Sequence, residues 1–272
     1  MAIIGFIGAG NMASALAGGM LARGFKPGQL ALADSNAGQL EAFKARGVFT
    51  TQDNAELMQR ADVLVLAVKP QVLGAVLKPL AALAQQKQPL VLSIAAGIPA
   101  DSIERWLGGN LPVVRAMPNT PALVHAGAAG LYANALVSPA QRSLAESILA
   151  AVGIALWVEQ EELIDAVTAV SGSGPAYFFF VMEAMMAAAV ELGLDDKTAR
   201  ALTLQTALGS AQMAITAGED PAELRRRVTS PGGTTERAVA VLEQAGLRET
   251  FRQALAACAA RGGELARQLG AD

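Results

Sequence analysis

The chain has 272 residues, of which 53% are hydrophobic but only 4% aromatic, and its net charge is -3. That length suits one large or two ordinary domains, and a near-neutral chain without a long run of one sign gives no footing for nucleic acid. Cys258 is the only cysteine, which excludes an intramolecular disulfide, and the mean hydropathy of +0.37 exceeds what one core need bury, predicting a large subunit interface.

Residues 2–7 are apolar but follow no basic stretch and include a glycine, a poor secretory signal, so the cytoplasm is the expected compartment. Residues 3–7 are the first expected strand, residues 12–23 a helix closed by Gly24, residues 30–33 a second strand, and residues 38–46 a second helix. Unbroken apolar runs at 63–68, 89–94 and 113–117 read as further strands covered on both faces. Strands separated by helices predict parallel pairing in a doubly wound α/β sheet.

Beyond residue 160 strand-like runs stop. Helices are expected at 175–192, 195–217, 221–228, 234–245 and 247–269, with Gly193, Gly218 and Gly246 where helix-ending glycines belong. The expected domains are therefore 1–160, a dinucleotide-binding sheet domain, and 161–272, an all-helical one. The most membrane-like stretch, 177–190, is shorter than the roughly 20 apolar residues of a span and contains Glu183. It is expected to be a buried or interfacial helix, with no membrane contact. Met182, Met185 and Met186 then fill a core or an interface, and Arg225-Arg226-Arg227 forms a solvated helix face.

Two glycine-rich loops carry the chemistry. Gly8-Ala9-Gly10-Asn11-Met12-Ala13 follows the first strand and opens the first helix, the GxGxxA pattern of a dinucleotide site. Gly8 serves the tight turn, Gly10 admits a pyrophosphate to the backbone, and Ala13 lets helix and strand pack closely. Asp34 ends the second strand, where the ribose is read. A carboxylate there suits the free 2′-hydroxyl of NADH, whereas Ser35 and Asn36 suit the phosphate of NADPH if the turn re-aims Asp34, so the cofactor is NADPH or NADH. By the rule that ligands sit beyond the carboxyl ends of parallel strands, Ala67-Val68-Lys69-Pro70 and Ala95-Ala96-Gly97 border the same crevice. Lys69 reads equally as a solvent-facing turn residue, and His125, the only histidine, as structural. No His, Cys or carboxylate cluster has metal-ligand spacing.

The second loop, Ser230-Pro231-Gly232-Gly233-Thr234-Thr235, precedes a helix. Its unpaired N–H groups and dipole would receive a small carboxylate; a plain helix cap with a tight turn is the other reading. Ser171-Gly172-Ser173-Gly174-Pro175 either borders the site or forms a helix junction.

Together these segments resemble the pyrroline-5-carboxylate reductase family. The resemblance rests on 6–12, 67–71, 117–121, 171–177 and 230–235, nearly the whole chain. It implies a Rossmann domain followed by a helical dimerisation domain, and reduction of a cyclic imine to L-proline, the last step of proline biosynthesis, by NAD(P)H. It implies homodimers through interlocked helical domains, with a ring of dimers as the further assembly. It implies that Ser230, Gly232, Gly233 and Thr234 hold the substrate carboxylate and that Thr235 offers its hydroxyl to the ring nitrogen as the catalytic group. On the cofactor side it adds Asn54 to Ile7, Gly8, Ala9, Gly10, Asn11, Met12, Asp34, Ala67, Val68, Lys69, Pro70, Ala95 and Ala96. Two-domain hydroxy-acid dehydrogenases are the enzyme alternative, but they use a lysine acid on the long helix, and here the only lysine after Lys87 is Lys197, past that helix. A non-catalytic dinucleotide-binding module would not need the second loop.

Overall fold

The computed structural model describes residues 2–270. Its first elements alternate as β1 (Ile4–Ile7), α1 (Asn11–Ala22), β2 (Leu30–Ala33), α2 (Glu41–Lys44), β3 (Phe49–Thr51), α3 (Asn54–Arg60) and β4 (Val63–Leu66). Then come α4 (Pro70–Leu77), α5 (Ala81–Lys87), β5 (Leu90–Ser93), α6 (Ala100–Trp106) and β6 (Val113–Met117). The sheet region closes with β7 (Gly127–Ala133), α7 (Pro139–Ala150), β8 (Gly153–Trp157) and α8 (Leu163–Val167).

All eight strands form one sheet in the order β3-β2-β1-β4-β5-β6-β7-β8. The first six run parallel. β7 turns back antiparallel to β6, and β8 runs parallel to β7. The expected doubly wound sheet is present, but its far edge is mixed rather than parallel. β1, β2, β4 and β5 are buried along their whole length, as their unbroken apolar runs require. Two core clusters, one centred on Phe6, Leu16 and Leu32 and the other on Leu64, Leu66 and Leu73, cover the sheet. At about 1.5–3 kcal/mol per fully buried large side chain, they are the main stabilising term.

β1 lies between β2 and β4, so chain order reverses there and opens a crevice at the carboxyl ends of these strands. The expected helix at 38–46 is shorter, a 3-10 turn at Ala37–Gln39 followed by α2, because Asn36 caps the turn by accepting the Gly38 N–H.

The remaining helices are α9 (Gly174–Glu191), α10 (Asp196–Ala217), α11 (Pro221–Arg227), α12 (Thr234–Gln244) and α13 (Leu247–Leu269). Gly193, Gly218 and Gly246 adopt positive φ at helix ends, as glycine alone does readily. The chain divides into two compact units: Gly174–Ala256, and everything before it together with the stretch from Ala257 onward. By packing the division falls at Ser173, and α13 belongs to both units. α8 packs on β6 and β7, with Val167 filling the space that Gly130 leaves over the sheet, so the segment after β8 stays with the sheet. Residues 177–190, read as too short for a membrane, lie in a helical run Leu163–Glu191 that is long and apolar enough to cross one by length and composition.

Candidate functional site

The first glycine loop joins β1 to α1 as strand, turn and helix. Gly8 has φ +97°, and a Cβ there would stand 2.8 Å from the backbone of Ala67, so both conformation and space demand glycine. A Cβ on Gly10 would instead project into open space. Gly10 is the N-cap of α1 and offers no capping side chain, and α1 has no acidic residue in its first turn. Its first N–H groups therefore face an open cradle with a positive dipole end. Ala13 is buried against the sheet. This arrangement fits a pyrophosphate.

Asp34 does not reach outward from β2. Its Oδ2 accepts the Ala9 N–H at 2.7 Å and its Oδ1 accepts the Asn36 N–H at 2.8 Å. The carboxylate braces the glycine loop and caps the following turn, leaving Ser35 and Asn36 exposed at its tip. Asn54 begins α3, whose cap is the neighbouring Asp53, accepting from Ala55 and Glu56. Ala67, Val68, Lys69 and Pro70 lead from β4 into α4, with Pro70 at the first helical position and Lys69 exposed. Ala95 and Ala96 follow β5; Ala95 is buried and Ala96 exposed. Ile7, Gly8, Ala9, Gly10, Asn11 and Met12 thus share one rim with the ends of β2, β4 and β5. His125 is exposed at the left-handed end of a 3-10 turn.

Behind this rim lie buried polar side chains: Asn119 belongs to the 117–121 segment of the resemblance, while Arg115, with its half-buried partner Glu161, escaped the sequence reading. Asn119 donates to the Ser171 carbonyl at 3.0 Å and accepts from Ala128 N–H at 2.9 Å, tying the Pro118–Pro121 loop to β7 and to the turn before α9. Arg115 lies inside β6 and pairs with Glu161 at 2.6 Å. The same Glu161 oxygen accepts the Ala100 N–H at the start of α6 at 2.7 Å. A charged residue within the apolar run Val-Val-Arg-Ala-Met was the available signal, because such a residue is buried only with a partner. Burial, then the negative charge of Glu161, raises the Tyr132 phenol above its usual range. Burial likewise raises the Asp165 carboxyl, with Arg115 opposing it.

The Ser171 run is a turn of π geometry, Thr168–Gly172, closed by a Ser173 N–H to Thr168 carbonyl bond of 2.8 Å. A Cβ on Gly172 would stand 2.7 Å from Met117 Cε, so the end of that side chain would have to shift to admit one. Such turns recur at functional sites.

In the helical unit, the second loop is as expected a tight turn into a helix. Gly232 has φ +74° and its N–H donates to Glu236 at 2.7 Å, while the Gly233 N–H donates to the Ser230 carbonyl at 3.0 Å. These bonds hold the turn. Gly233 is the N-cap of α12 and supplies no side chain, so the first-turn amides of Thr234 and Thr235 face solvent beside their own hydroxyls and that of Ser230.

A family model for pyrroline-5-carboxylate reductase dimerisation matches residues 161–265. One for NADP oxidoreductase, coenzyme F420-dependent, matches residues 3–97. The chain is 55% identical to a pyrroline-5-carboxylate reductase of Pseudomonas aeruginosa over 270 residues, covering 98% of each chain. It superposes on a pyrroline-5-carboxylate reductase of Coxiella burnetii with TM-score 0.94 and 48% identity, covering 97% of this chain and 98% of that one. It also superposes on the Plasmodium falciparum pyrroline carboxylate reductase with NADP bound, TM-score 0.86 and 29% identity, covering 97% and 98%. A glycine cradle at the reversal point of the sheet, an open helix start after Ser-Pro-Gly-Gly and this full-length likeness agree, and the chain belongs to the pyrroline-5-carboxylate reductase family.

Proposed function

We infer that the protein reduces 1-pyrroline-5-carboxylate to L-proline with NAD(P)H, the last step of proline biosynthesis. The observation that carries this is the uncapped start of α12 behind a glycine turn, a receptor for one small carboxylate, in a chain whose other glycine loop fits a dinucleotide. When bound, the reduced cofactor supplies the hydride that adds to the imine carbon.

The chain's own residues bind and orient. Gly8, Ala9, Gly10, Asn11 and Met12 receive the pyrophosphate, Ile7 and the turn Ala67, Val68, Lys69 and Pro70 line the crevice, and Asn54 approaches from α3. Ala95 and Ala96 give the nicotinamide a flat methyl-sized floor. Ser230 and the amides of Thr234 and Thr235 hold the carboxylate, and Gly232 and Gly233 shape the turn. The Thr235 hydroxyl faces the ring nitrogen, orients the imine and relays its proton. A protonated imine is already electrophilic, so no strong protein acid is needed.

NADPH is the preferred cofactor. Asp34 is occupied by Ala9 and Asn36, and Ser35 and Asn36 are left to receive a 2′-phosphate. Two copies pair through the helical unit, and a ring of dimers is the higher assembly. The partner covers the apolar run Leu163–Glu191, which keeps the protein off the membrane, and the enzyme works in the cytoplasm. Mixing the purified protein with pyrroline-5-carboxylate and either reduced nucleotide, and following the nicotinamide absorbance, tests the activity. Imine-dependent oxidation is expected, faster with NADPH; no oxidation above background with either nucleotide would refute it.

A further inference from the structure

Within the sheet-bearing unit, the last part of α13 presents Cys258, Gly262, Leu265 and Leu269 at the spacing of one helix face. Each meets a different support. Cys258 Sγ lies 3.3 Å from Ser173 Oγ, in the turn before α9. Gly262 gives way to Asp165, whose Oδ1 is 2.7 Å from where a Cβ would be. Leu265 faces Gly97, 3.1 Å from the position of a Cβ there, and Leu269 packs on the second core cluster. Beyond Leu269, the Gly270 carbonyl accepts from buried Ser102 Oγ at 2.9 Å and from Arg105 Nη2 at 2.5 Å. Gly270 itself has no room for a side chain, since a Cβ would lie 2.8 Å from Ser102 Oγ and 2.9 Å from Pro99 Cδ.

The loop that this face meets is Ala95-Ala96-Gly97. No side chain in it is larger than a methyl, so it cannot fasten itself, and Gly97 sits at φ +68°, a conformation that few other residues hold. Its shape is imposed by its neighbours: Ser93 Oγ accepts the Ala95 N–H at 3.3 Å, Leu265 stands over Gly97, and Glu161 and the Gly270 carbonyl hold the start of α6, into which the loop leads.

We propose that residues 258–270 of α13 are a positioning strut that fixes the Ala95–Gly97 loop and the Ser173 turn, and so holds the nicotinamide side of the cofactor site in one geometry. This rests on the reading that Ala95 and Ala96 face the nicotinamide. Leu265, Ser102, Arg105 and Gly270 are positioning residues and touch neither cofactor nor substrate. Hydride transfer tolerates little misplacement, with an error of about 1 Å costing up to roughly 100-fold.

The test compares Leu265→Gly, which removes the Cβ that stands over Gly97, and Gly270→Ala with Ala96→Leu, which blocks the loop directly. For each, kcat, KM for NADPH, the isotope effect with cofactor deuterated at nicotinamide C4, and the affinity for adenosine diphosphate ribose, which lacks the nicotinamide, are measured. Leu265→Gly and Gly270→Ala are expected to lower kcat about ten-fold or more and to raise the isotope effect, with adenosine diphosphate ribose binding unchanged. Leu265→Ala, which keeps the Cβ, is expected to restore turnover. Wild-type kinetics in both variants, or loss of adenosine diphosphate ribose binding in step with kcat, would overturn the strut. If Ala96→Leu impairs NADPH use while the α13 variants do not, the strut alone fails. If Ala96→Leu is itself silent, the reading of the loop fails and the strut with it.

Discussion

Asp34 shows how two hydrogen bonds bear on a residue's role. At the end of a second strand, a carboxylate reads as a ribose ligand, and nothing in the sequence distinguishes that from a brace. In the structure its two oxygens accept the Ala9 and Asn36 amides, the bonding a brace would have. Asp34→Ala is therefore expected to weaken NADPH and NADH alike, measured as the two KM values, whereas a ribose reader would lose NADH alone. Ser35→Glu should reverse the preference, costing NADPH at least ten-fold in kcat/KM, since a hydrogen bond to a charged group contributes about 1.5–3 kcal/mol and a like charge adds repulsion. Thr235→Ala should slow turnover about 10–100-fold with cofactor affinity intact. Unchanged kinetics would remove its hydroxyl from the mechanism.

β1, β2, β4, β5 and β6 were readable from largely apolar runs buried on both faces, and β6 matches its expected bounds, Val113–Met117. β3, a three-residue edge strand, and β7 and β8 were not readable. Gly-Ala-Ala-Gly-Leu-Tyr-Ala has little strand propensity, and the pairing is set by close backbone approach instead. β7 and β8 meet at Gly127 and Gly153, where a Cβ on Gly153 would overlap the Gly127 backbone. Gly153→Ala should therefore destabilise the sheet edge by about 2–3 kcal/mol in denaturant melts, and a neutral effect would show that β8 is not held there. The glycine loops were readable for the opposite reason: their chemistry is carried by local turn geometry and by sequence spacing. Asp165 adds a pH term, because a carboxyl raised in the folded state favours folding fully below its unfolded pKa and loses that contribution as pH rises through the raised value. Asp165→Asn should raise the melting temperature at neutral pH relative to the parent and leave it little changed near pH 3; the same shift at both would assign the effect to packing.

At the scale of the molecule, the two units differ in kind. The sheet unit owns two buried clusters, whereas α9 exposes Phe178, Phe179 and Phe180 at 67%, 62% and 71%. A contiguous exposed apolar patch of this kind marks an interaction surface, and the match to a dimerisation family over 161–265 indicates homo-oligomerisation. Folding of the helical unit is then coupled to association, so the denaturation midpoint should rise with protein concentration, and a concentration-independent midpoint with a monomeric mass would contradict it. The chemistry assigned to the two glycine loops reduces to one transfer, from nicotinamide C4 to the imine carbon. The most direct measurement supplies NADPH deuterated on both faces of C4 with pyrroline-5-carboxylate and reads the product by mass spectrometry. Proline carrying a single deuterium is predicted; unlabelled proline, or no proline while the cofactor is oxidised, would contradict the assignment.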